Sequence, residues 1–203
     1  MSEMLDLTHA KLIGQGTHKK CFIHPQNPSH CVKVAYNDLG QRDLNREVLY
    51  LKTRYRRKHV STILPRFYGE VQTNFGRGYV VDYIRNADGT PCLNLQDWLE
   101  TAEANPTLDP LINQAMQTLG RKMREEQVLC LAIYPGNILF QYNSIGEGYQ
   151  PFLVNDLGNA ARIPLAYWLS GVRLRSIDKR WQEFLVAAGQ KCHPAKRSFI
   201  EHW

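Results

Sequence analysis

The feature that most constrains the fold is a change of hydrophobic period near residue 94. Before that point, apolar residues alternate in short segments such as "CVKVAY" (31–36), a pattern typical of β-strands. After it, apolar residues recur at helical spacing, as in "LNLQDWL" (93–99). We therefore predict an α+β chain with two lobes: a β-rich lobe over 1–84, a hinge over 85–93 and a helical lobe over 94–203.

Individual elements follow from the same patterns. "FYGEVQT" and "RGYVVDYIR" predict paired strands joined around residues 74–76, and the spacing of Leu44, Val48 and Leu51 predicts the one helix of the first lobe. In the second lobe, Asn94 is a predicted N-cap of a helix that continues to Pro106. The next helix is predicted to carry an apolar stripe of Leu111, Ala115, Leu119 and Met123. Two strands are predicted over 137–143 and 149–158. Trp168 and Trp181 are predicted to anchor the core.

Charge and cysteine content narrow the classes of protein to consider. The 203 residues carry a net charge of +6, which favours anionic partners such as phosphorylated ligands. Five cysteines without a C-x-x-C pair predict free thiols in a reducing compartment rather than a zinc site. The sequence contains neither a signal-peptide pattern nor an apolar run of membrane-spanning length. We therefore expect a cytoplasmic protein without membrane insertion.

A glycine-rich turn follows the first predicted strand. Gly14 and Gly16 flank Gln15, and glycine lets backbone N–H groups approach phosphate oxygens because it has no Cβ. His18, Lys19 and Lys20 add donors close by, although Lys19 stands where a G-x-G-x-x-G loop has its third glycine. The turn therefore predicts a phosphate site, and an ordinary hairpin turn is the alternative.

A lysine and a glutamate stand in the order required for phosphate binding. Lys33 lies on a predicted strand seventeen residues after Gly16, and Glu47 lies fourteen residues later on the predicted helix. A partly buried ammonium group needs a carboxylate partner, so we expect Glu47 to orient Lys33 toward nucleotide phosphates. The alternative is that both side chains are solvated at the surface.

The hinge and two later segments complete the predicted nucleotide site. Asp82, Tyr83 and Ile84 end a strand at the connector, where an adenine ring can lie against the backbone. Asp156 follows the apolar segment "FLV" and, together with Asn137, supplies the hard oxygens that Mg²⁺ prefers. A polar turn without a metal is the alternative, because D-x-G is a common turn sequence.

These pieces in this order resemble the protein-kinase-like superfamily. Within it, the chain is similar to the YrbL family, or PhoP regulatory network proteins, through "GQGTHKKCFIHPQNPSHCVKVAY", "ILPRFYGEVQTNFGRGYVVDYI", "YPGNIL", "VNDLGNAARIPLA" and "RSIDKRWQEFL". The resemblance implies a two-lobed kinase-like fold with a compact, truncated C-lobe. It also implies a bacterial protein linked to a regulon, with no reaction assigned.

Three departures from active kinases bear on the activity. Ala132 stands five residues before Asn137, where the kinase catalytic loop has an aspartate, and Cys130 replaces a frequent histidine. Alanine cannot accept a proton, and a positioned general base contributes about 10²–10⁴-fold to a rate. Tyr134 lies close in sequence, but a phenol is a poor base near neutral pH. In addition, "NAARIPLAYWLSG" (159–171) replaces a long activation segment, so we do not expect a protein substrate in the usual groove.

The leading hypothesis is a pseudokinase-like regulatory protein that binds ATP and Mg²⁺ between its lobes and acts on an unknown protein partner. An atypical phosphotransferase for a small molecule is one alternative. A basic module that binds nucleic acid or a partner without nucleotide is the other, based on "RYRRKH" (54–59) and "VRLRSIDKRW" (172–181). Aromatic residues are sparse in the first run, which argues against nucleic acid.

Overall fold

The computed structural model describes residues 4–56, 61–143, 148–159 and 165–203, and for Tyr55 and Arg56 only the backbone. The chain is α+β, with a β-sheet in its N-terminal region and mainly helices in its C-terminal region. It divides into two compact units. Unit 1 consists of Met1–Val60 with Pro65–Tyr83, and unit 2 consists of Ser61–Leu64 with Ile84–Trp203.

Unit 1 is built on an antiparallel sheet. Within the described residues the sheet has five strands in the order β1-β2-β3-β5-β4, and the helix α1 connects β3 to β4. The bounds are β1 Leu12–Gln15, β2 Lys19–His24, β3 Asn27–Ala35, α1 Asp38–Arg56, β4 Phe67–Thr73 and β5 Gly76–Asp82.

The two faces of this sheet differ in chemistry, because side chains alternate along a strand. One face packs a core cluster of Leu7, Phe22, Val32, Val34 and Val80. On the other face the β2–β3 register places Cys21 opposite Lys33, and the β3–β5 register places Lys33 opposite Tyr79. Helix α1 covers this second face through Glu47, whose side chain reaches Tyr79.

Close packing at β5 depends on a glycine. A Cβ at Gly78 would lie 2.6 Å from the backbone oxygen of Lys33, so a side chain here would push β5 away from β3. The close contact between Gly78 and the backbone of Lys33 holds β3 against β5.

Unit 2 contains the remaining helices and a small antiparallel sheet. Its elements are β6 Leu93–Asn94, α2 Leu95–Glu100, α3 Leu108–Glu125, β7 Ile138–Asn143, β8 Gly148–Leu153, α4 Ser170–Lys191 and α5 Arg197–Ile200. The β6-β7-β8 order follows from the pairing of β7 with both neighbours. Its buried residues include Leu95, Trp98, Ile112, Met116, Leu119, Met123, Phe140, Leu153 and Phe184.

Most predicted elements are present, with differences at α2, at α3, at Trp168 and at the last strand, which ends at Leu153 rather than at residue 158. The predicted strand pair and the Asn94 cap are confirmed, since the Asn94 side chain accepts hydrogen bonds from the backbone of Gln96 and Asp97. Helix α2, however, ends at Glu100 rather than at Pro106, because Thr101 is already extended (φ −70°, ψ 122°). The buried stripe of α3 includes Ile112 and Met116, whereas Leu111 is half-buried.

The prediction that both tryptophans anchor the core is wrong for Trp168. Its side chain is 72% exposed, and it follows a short 3₁₀ turn at Leu165–Tyr167 rather than lying inside a helix. Trp181 does pack, against the ring of Phe184 and over Gly120, where a Cβ would lie 2.7 Å from the indole. Among the described residues, no helix is both long and apolar enough to cross a membrane.

Candidate functional site

The predicted phosphate-side residues of unit 1 lie around a buried charge cluster. Glu47 is fully buried, and its Oε2 accepts hydrogen bonds from Lys19 Nζ at 2.7 Å and from the Tyr79 hydroxyl at 2.7 Å. Lys33 is 6% exposed, and its ammonium group lies 5.9 Å from the centre of the Tyr79 ring. The sheet and α1 therefore bring two lysines to one carboxylate.

The charge state of this cluster is set by competing effects. Burial raises the pKa of Glu47, but the charges of Lys19 and Lys33 and the hydrogen bonds from Lys19 and Tyr79 outweigh it, so the pKa lies below its ordinary value. Burial, followed by the charge of Glu47, raises the pKa of Tyr79 well above its usual range. Glu47 is thus an anion and Tyr79 a neutral donor.

The sequence did not reveal the partner that Glu47 contacts. Glu47 forms a 2.7 Å ion pair with Lys19, and the charge of Lys33 acts on it as well. The expectation that Glu47 orients Lys33 stays a prediction. The β2–β3 register, which the sequence pattern does not give, explains why Lys19 and Lys33 lie close together. Because Lys19 pairs with Ala35 and Cys21 pairs with Lys33, the two lysines extend from the same end of the β2–β3 ladder.

The glycine-rich turn between β1 and β2 is held from the start of α1. The Tyr36 hydroxyl donates to the carbonyl oxygen of Gly16 at 2.7 Å, and Asn37 Nδ2 donates to that of Thr17 at 3.3 Å. Neither Gly14 nor Gly16 has a positive φ among the described residues, and an added Cβ would meet nothing closer than 3.9 Å. Neither φ nor steric contact in the described structure therefore requires glycine at these two positions, and phosphate binding by the turn stays a prediction.

The connector residues have defined internal roles. Asp82 accepts hydrogen bonds from the backbone of Arg66 at 2.8 Å and from the Tyr68 hydroxyl at 2.8 Å. Tyr83 N–H donates to the Ser29 carbonyl oxygen at 2.9 Å. Ile84, the first residue of this part of unit 2, is buried. Adenine contact at these residues stays a prediction.

In unit 2 the two predicted metal residues are in direct contact. Asn137 ends a 3₁₀ turn at Pro135–Asn137, and its Nδ2 donates to Asp156 Oδ2 at 2.7 Å. Asn155 Nδ2 donates to Asn137 Oδ1 at 3.1 Å, which extends the chain of polar side chains. The backbone supports the same arrangement, since Val154 N–H donates to the Asn137 carbonyl oxygen at 3.0 Å.

Asp156 has an unusual backbone conformation. Its φ is 59°, in the left-handed region that residues with a side chain rarely adopt. Its carbonyl oxygen accepts from Leu131 N–H at 2.7 Å, and Gly158 N–H donates to Leu129 at 2.9 Å, so the turn is tied to the segment before Ala132. Strained residues of this kind persist where surrounding contacts hold them and are concentrated at functional sites.

The donor set suits a magnesium ion only if other ligands are added. A carboxylate and an amide oxygen are hard ligands of the kind that Mg²⁺ accepts. Among the described residues no group of three or more His, Cys, Asp or Glu side chains is arranged to hold a metal. A metal at this pair would need phosphate and water as further ligands, and Mg²⁺ binding here stays a prediction.

Cys130, Ala132 and Tyr134 differ in burial. Ala132 is half-buried and Tyr134 is 57% exposed, while Cys130 is buried in a bridge to Leu157. Burial raises the pKa of the Cys130 thiol to about 12, so this side chain is a neutral packing group. No side chain at position 132 can accept a proton.

The basic runs are partly engaged within the chain. In the first run, Arg54 donates to the Tyr50 hydroxyl at 3.2 Å, and residues 57–59 lie outside the described residues. In the second, Arg173 donates to the Ala166 carbonyl oxygen at 2.7 Å and Arg180 pairs with Glu183 at 2.6 Å. Of these contacts, only the Arg180–Glu183 pair offsets a positive charge, so nucleic-acid binding stays an untested alternative. Of the shortened segment at 159–171, residues 160–164 also lie outside the described part of the chain.

Fold and geometry together define a two-unit α+β protein with a buried lysine–carboxylate cluster and a strained Asn–Asp turn. Residues 5–189 match the family model described as PhoP regulatory network protein YrbL. The chain is 30% identical over 185 residues to the protein called YrbL of Escherichia coli (strain K12). The aligned region covers 90% of this chain and 87% of that protein. A protein of the same name from Shigella flexneri gives the same identity and coverage. The chain belongs to the YrbL family of PhoP regulatory network proteins.

Proposed function

We propose that this YrbL-family chain is a nucleotide-binding regulator of the protein-kinase-like superfamily. In this proposal it binds ATP with Mg²⁺, lacks an efficient phosphotransfer activity, and acts by binding a protein partner. The regulatory role rests on the description of the family as part of the PhoP network. Nucleotide binding rests on the residues of the two units.

The observation that carries the proposal is the geometry at Asp156. A carboxylate is held at φ 59° and bonded to Asn137 at 2.7 Å, within a hydrogen-bonded turn that follows β8. In the kinase arrangement an aspartate after a strand and an asparagine of the catalytic loop hold the metal that accompanies the phosphates. Asp156 and Asn137 would hold Mg²⁺ in this way, and the ion would neutralise phosphate charge.

Unit 1 supports the phosphate half of the proposal. Kinases carry their phosphate lysine on the third strand and its glutamate on the following helix. Here Lys33 lies on β3, Glu47 lies on α1, and α1 joins β3 to β4. Glu47 keeps a negative charge next to two ammonium groups, which would leave the cluster with a net positive charge for a phosphate.

Ala132 favours regulation over catalysis. In the absence of a proton acceptor, the attacking hydroxyl of a substrate would not be oriented or deprotonated. The residues for binding are present while the residue for the chemical step is not. Nucleotide occupancy would then report to a partner rather than drive turnover.

The test is direct binding of an ATP analogue, measured by isothermal titration calorimetry with and without Mg²⁺. Lys33→Met keeps the apolar stem and removes the charge, and Asp156→Asn keeps the shape and tolerates a positive φ. A hydrogen bond to a charged group contributes about 1.5–3 kcal/mol, so each variant should bind about tenfold or more weakly.

Matched controls use exposed residues of the same types. Lys179→Met and Asp97→Asn change charge at the surface of α4 and α2 and should leave affinity unchanged. Absence of binding by the wild-type chain would overturn the proposal. Loss in Lys33→Met together with full Mg²⁺-dependent affinity in Asp156→Asn would remove the metal assignment.

A second function is favoured by the intact Asn137–Asp156 pair: slow phosphate transfer to a small molecule. Phosphoryl transfer depends chiefly on positioning and charge neutralisation, so loss of the base need not abolish it. Transfer of label from γ-labelled ATP to a metabolite extract, abolished by Asp156→Asn, would establish it. Transfer that persists in that variant would exclude this site.

A further inference from the structure

Two cysteines lie together on the sheet face that carries Lys33. Cys21 on β2 is opposite Lys33, and Cys31 is opposite Ile23, so the two thiols are diagonal neighbours on one face. The Cys31 sulfur is 3.5 Å from the carbonyl oxygen of Asp82.

The two thiols differ in exposure and in surroundings. Cys31 is 4% exposed, whereas Cys21 is half-buried. The neighbouring Cys31 side chain lowers the pKa of the Cys21 thiol, burial opposes this, and the charges of Lys33 and Lys19 lower it further. The Cys21 side chain and burial raise the pKa of the Cys31 thiol. A thiolate next to cations is the form that reacts with oxidants.

We propose that Cys21 and Cys31 form an oxidation site in unit 1 that takes a hydroperoxide and closes to a reversible disulfide. The Cys21 thiolate attacks one peroxide oxygen; an S–O bond forms, the O–O bond breaks, and the leaving hydroxide takes a proton to become water. Cys31 sulfur then attacks Cys21 sulfur, an S–S bond replaces the S–O bond, and the Cys31 proton leaves with the hydroxide as a second water.

The strand geometry predicts a labile bond. Diagonal Cα atoms in a regular ladder are about 7–8 Å apart, whereas a disulfide spans about 4.4–6.8 Å. The β2–β3 register shifts between Ile23 and His24, next to this pair, so the ladder is already irregular where it must tighten. Strained disulfides are the readily reduced ones, which suits a reversible switch.

A Cys21–Cys31 disulfide would act on Lys19 and Lys33 of the buried charge cluster. Cys21 is the ladder partner of Lys33 and lies two residues after Lys19. Tightening β2 against β3 would displace both lysines. Any effect on nucleotide affinity rests on the proposed function, whereas formation of the disulfide does not.

The experiment treats the reduced chain with one equivalent of hydrogen peroxide, blocks free thiols with N-ethylmaleimide, and maps peptides by mass spectrometry. A Cys21–Cys31 disulfide is expected, with the other three cysteines alkylated, and dithiothreitol should restore both thiols. Cys92→Ser is the matched control, since Cys92 is a half-buried thiol outside the pair, and should give the same disulfide.

Two variants separate the steps. Cys31→Ala leaves Cys21 without its partner, so oxidation should stop at the sulfenic acid, which dimedone traps at residue 21. Cys21→Ser should reduce peroxide consumption about tenfold or more, because a thiolate is the reactive form and burial raises the pKa of the Cys92 and Cys130 thiols. Peroxide-treated wild-type chain without a Cys21–Cys31 disulfide, or dimedone labelling of Cys92 ahead of Cys21, would overturn the proposal.

Discussion

The lysine–glutamate cluster of unit 1 and the Asn–Asp turn of unit 2 are two polar constellations built in opposite ways. In unit 1, Glu47 is fully buried and bonded to Lys19 and Tyr79. In unit 2, Asp156 has a strained backbone and contacts a neutral amide, Asn137, at 2.7 Å. The described contacts pair the Glu47 carboxylate with an ammonium group and the Asp156 carboxylate with a neutral amide.

The difference indicates that Glu47 contributes mainly to the stability of the fold and Asp156 mainly to binding. A buried carboxylate with a positive partner is costly to disrupt, because removal of either group leaves the other uncompensated. A carboxylate at positive φ costs free energy that its hydrogen bond offsets. We therefore expect Glu47 to matter for stability and Asp156 to matter chiefly for binding.

The largest effect is expected at Glu47. Glu47→Ala removes the acceptor of Lys19 and Tyr79 and should lower the free energy of unfolding by about 3–5 kcal/mol. Urea denaturation followed by tryptophan fluorescence and far-UV circular dichroism measures this. Glu183→Ala, which breaks an exposed pair with Arg180, is the control and should cost less than about 1 kcal/mol. Equal losses in the two variants would contradict a structural role for the cluster.

A smaller loss is expected where the glycine turn meets α1. A Cβ at Gly40 would collide with the carbonyl oxygen of His18, and the backbone must shift to admit it. Gly40→Ala should destabilise the chain by about 1–3 kcal/mol, despite the better helix propensity of alanine. Gly189→Ala in α4, where a Cβ meets nothing, is the control and should stabilise by about 0.5–1 kcal/mol. Stabilisation by both substitutions would show that the turn is not anchored at Gly40.

The acid response of unit 1 should depend on the same carboxylate. The pKa of Glu47 is lower in the folded chain than its ordinary value of 4.5, so the unfolded chain binds more protons in acid. The stabilisation is therefore fully present above about pH 4.5 and is lost as the pH falls through the folded pKa. In urea titrations from pH 7 to pH 3, Glu47→Gln should flatten the decline relative to wild type. An unchanged decline would assign it to other carboxylates.

The smallest effect on stability is expected at Asp156. Asp156→Gly relieves a positive φ worth about 1–2 kcal/mol but loses the bond from Asn137 to a charged carboxylate, worth about 1.5–3 kcal/mol, so the net loss should be below about 2 kcal/mol. The same variant should lose Mg²⁺-dependent nucleotide binding. Destabilisation beyond about 2 kcal/mol would place Asp156 with Glu47 as a structural residue.

Sequence patterns predicted the elements well where one face is apolar. Alternation at Val32 and Val34 predicted β3 with Lys33 on the opposite face, and both valines are buried in the core cluster. The Asn94 cap and the stripe of α1 followed from similar local rules. Prediction failed where termination or exposure depends on contacts, as at the early end of α2 and at Trp168.

The candidate site shows the same limit. The sequence singled out Asn137 and Asp156 as a pair, and they are in contact, because the β7–β8 hairpin between them returns the chain to its starting point. It did not predict that Glu47 contacts Lys19, because that contact depends on strand register and on the side from which α1 covers the sheet.

By itself the sequence determined the order of strands and helices, the family, the Ala132 substitution and the polar residues available for binding, because these follow from residue identity and local period. Only the tertiary structure decided which charges neutralise each other and which backbone is strained. Those properties arise from ångström-scale distances between segments remote along the chain, such as the 2.7 Å from Lys19 to Glu47, and no local pattern encodes them.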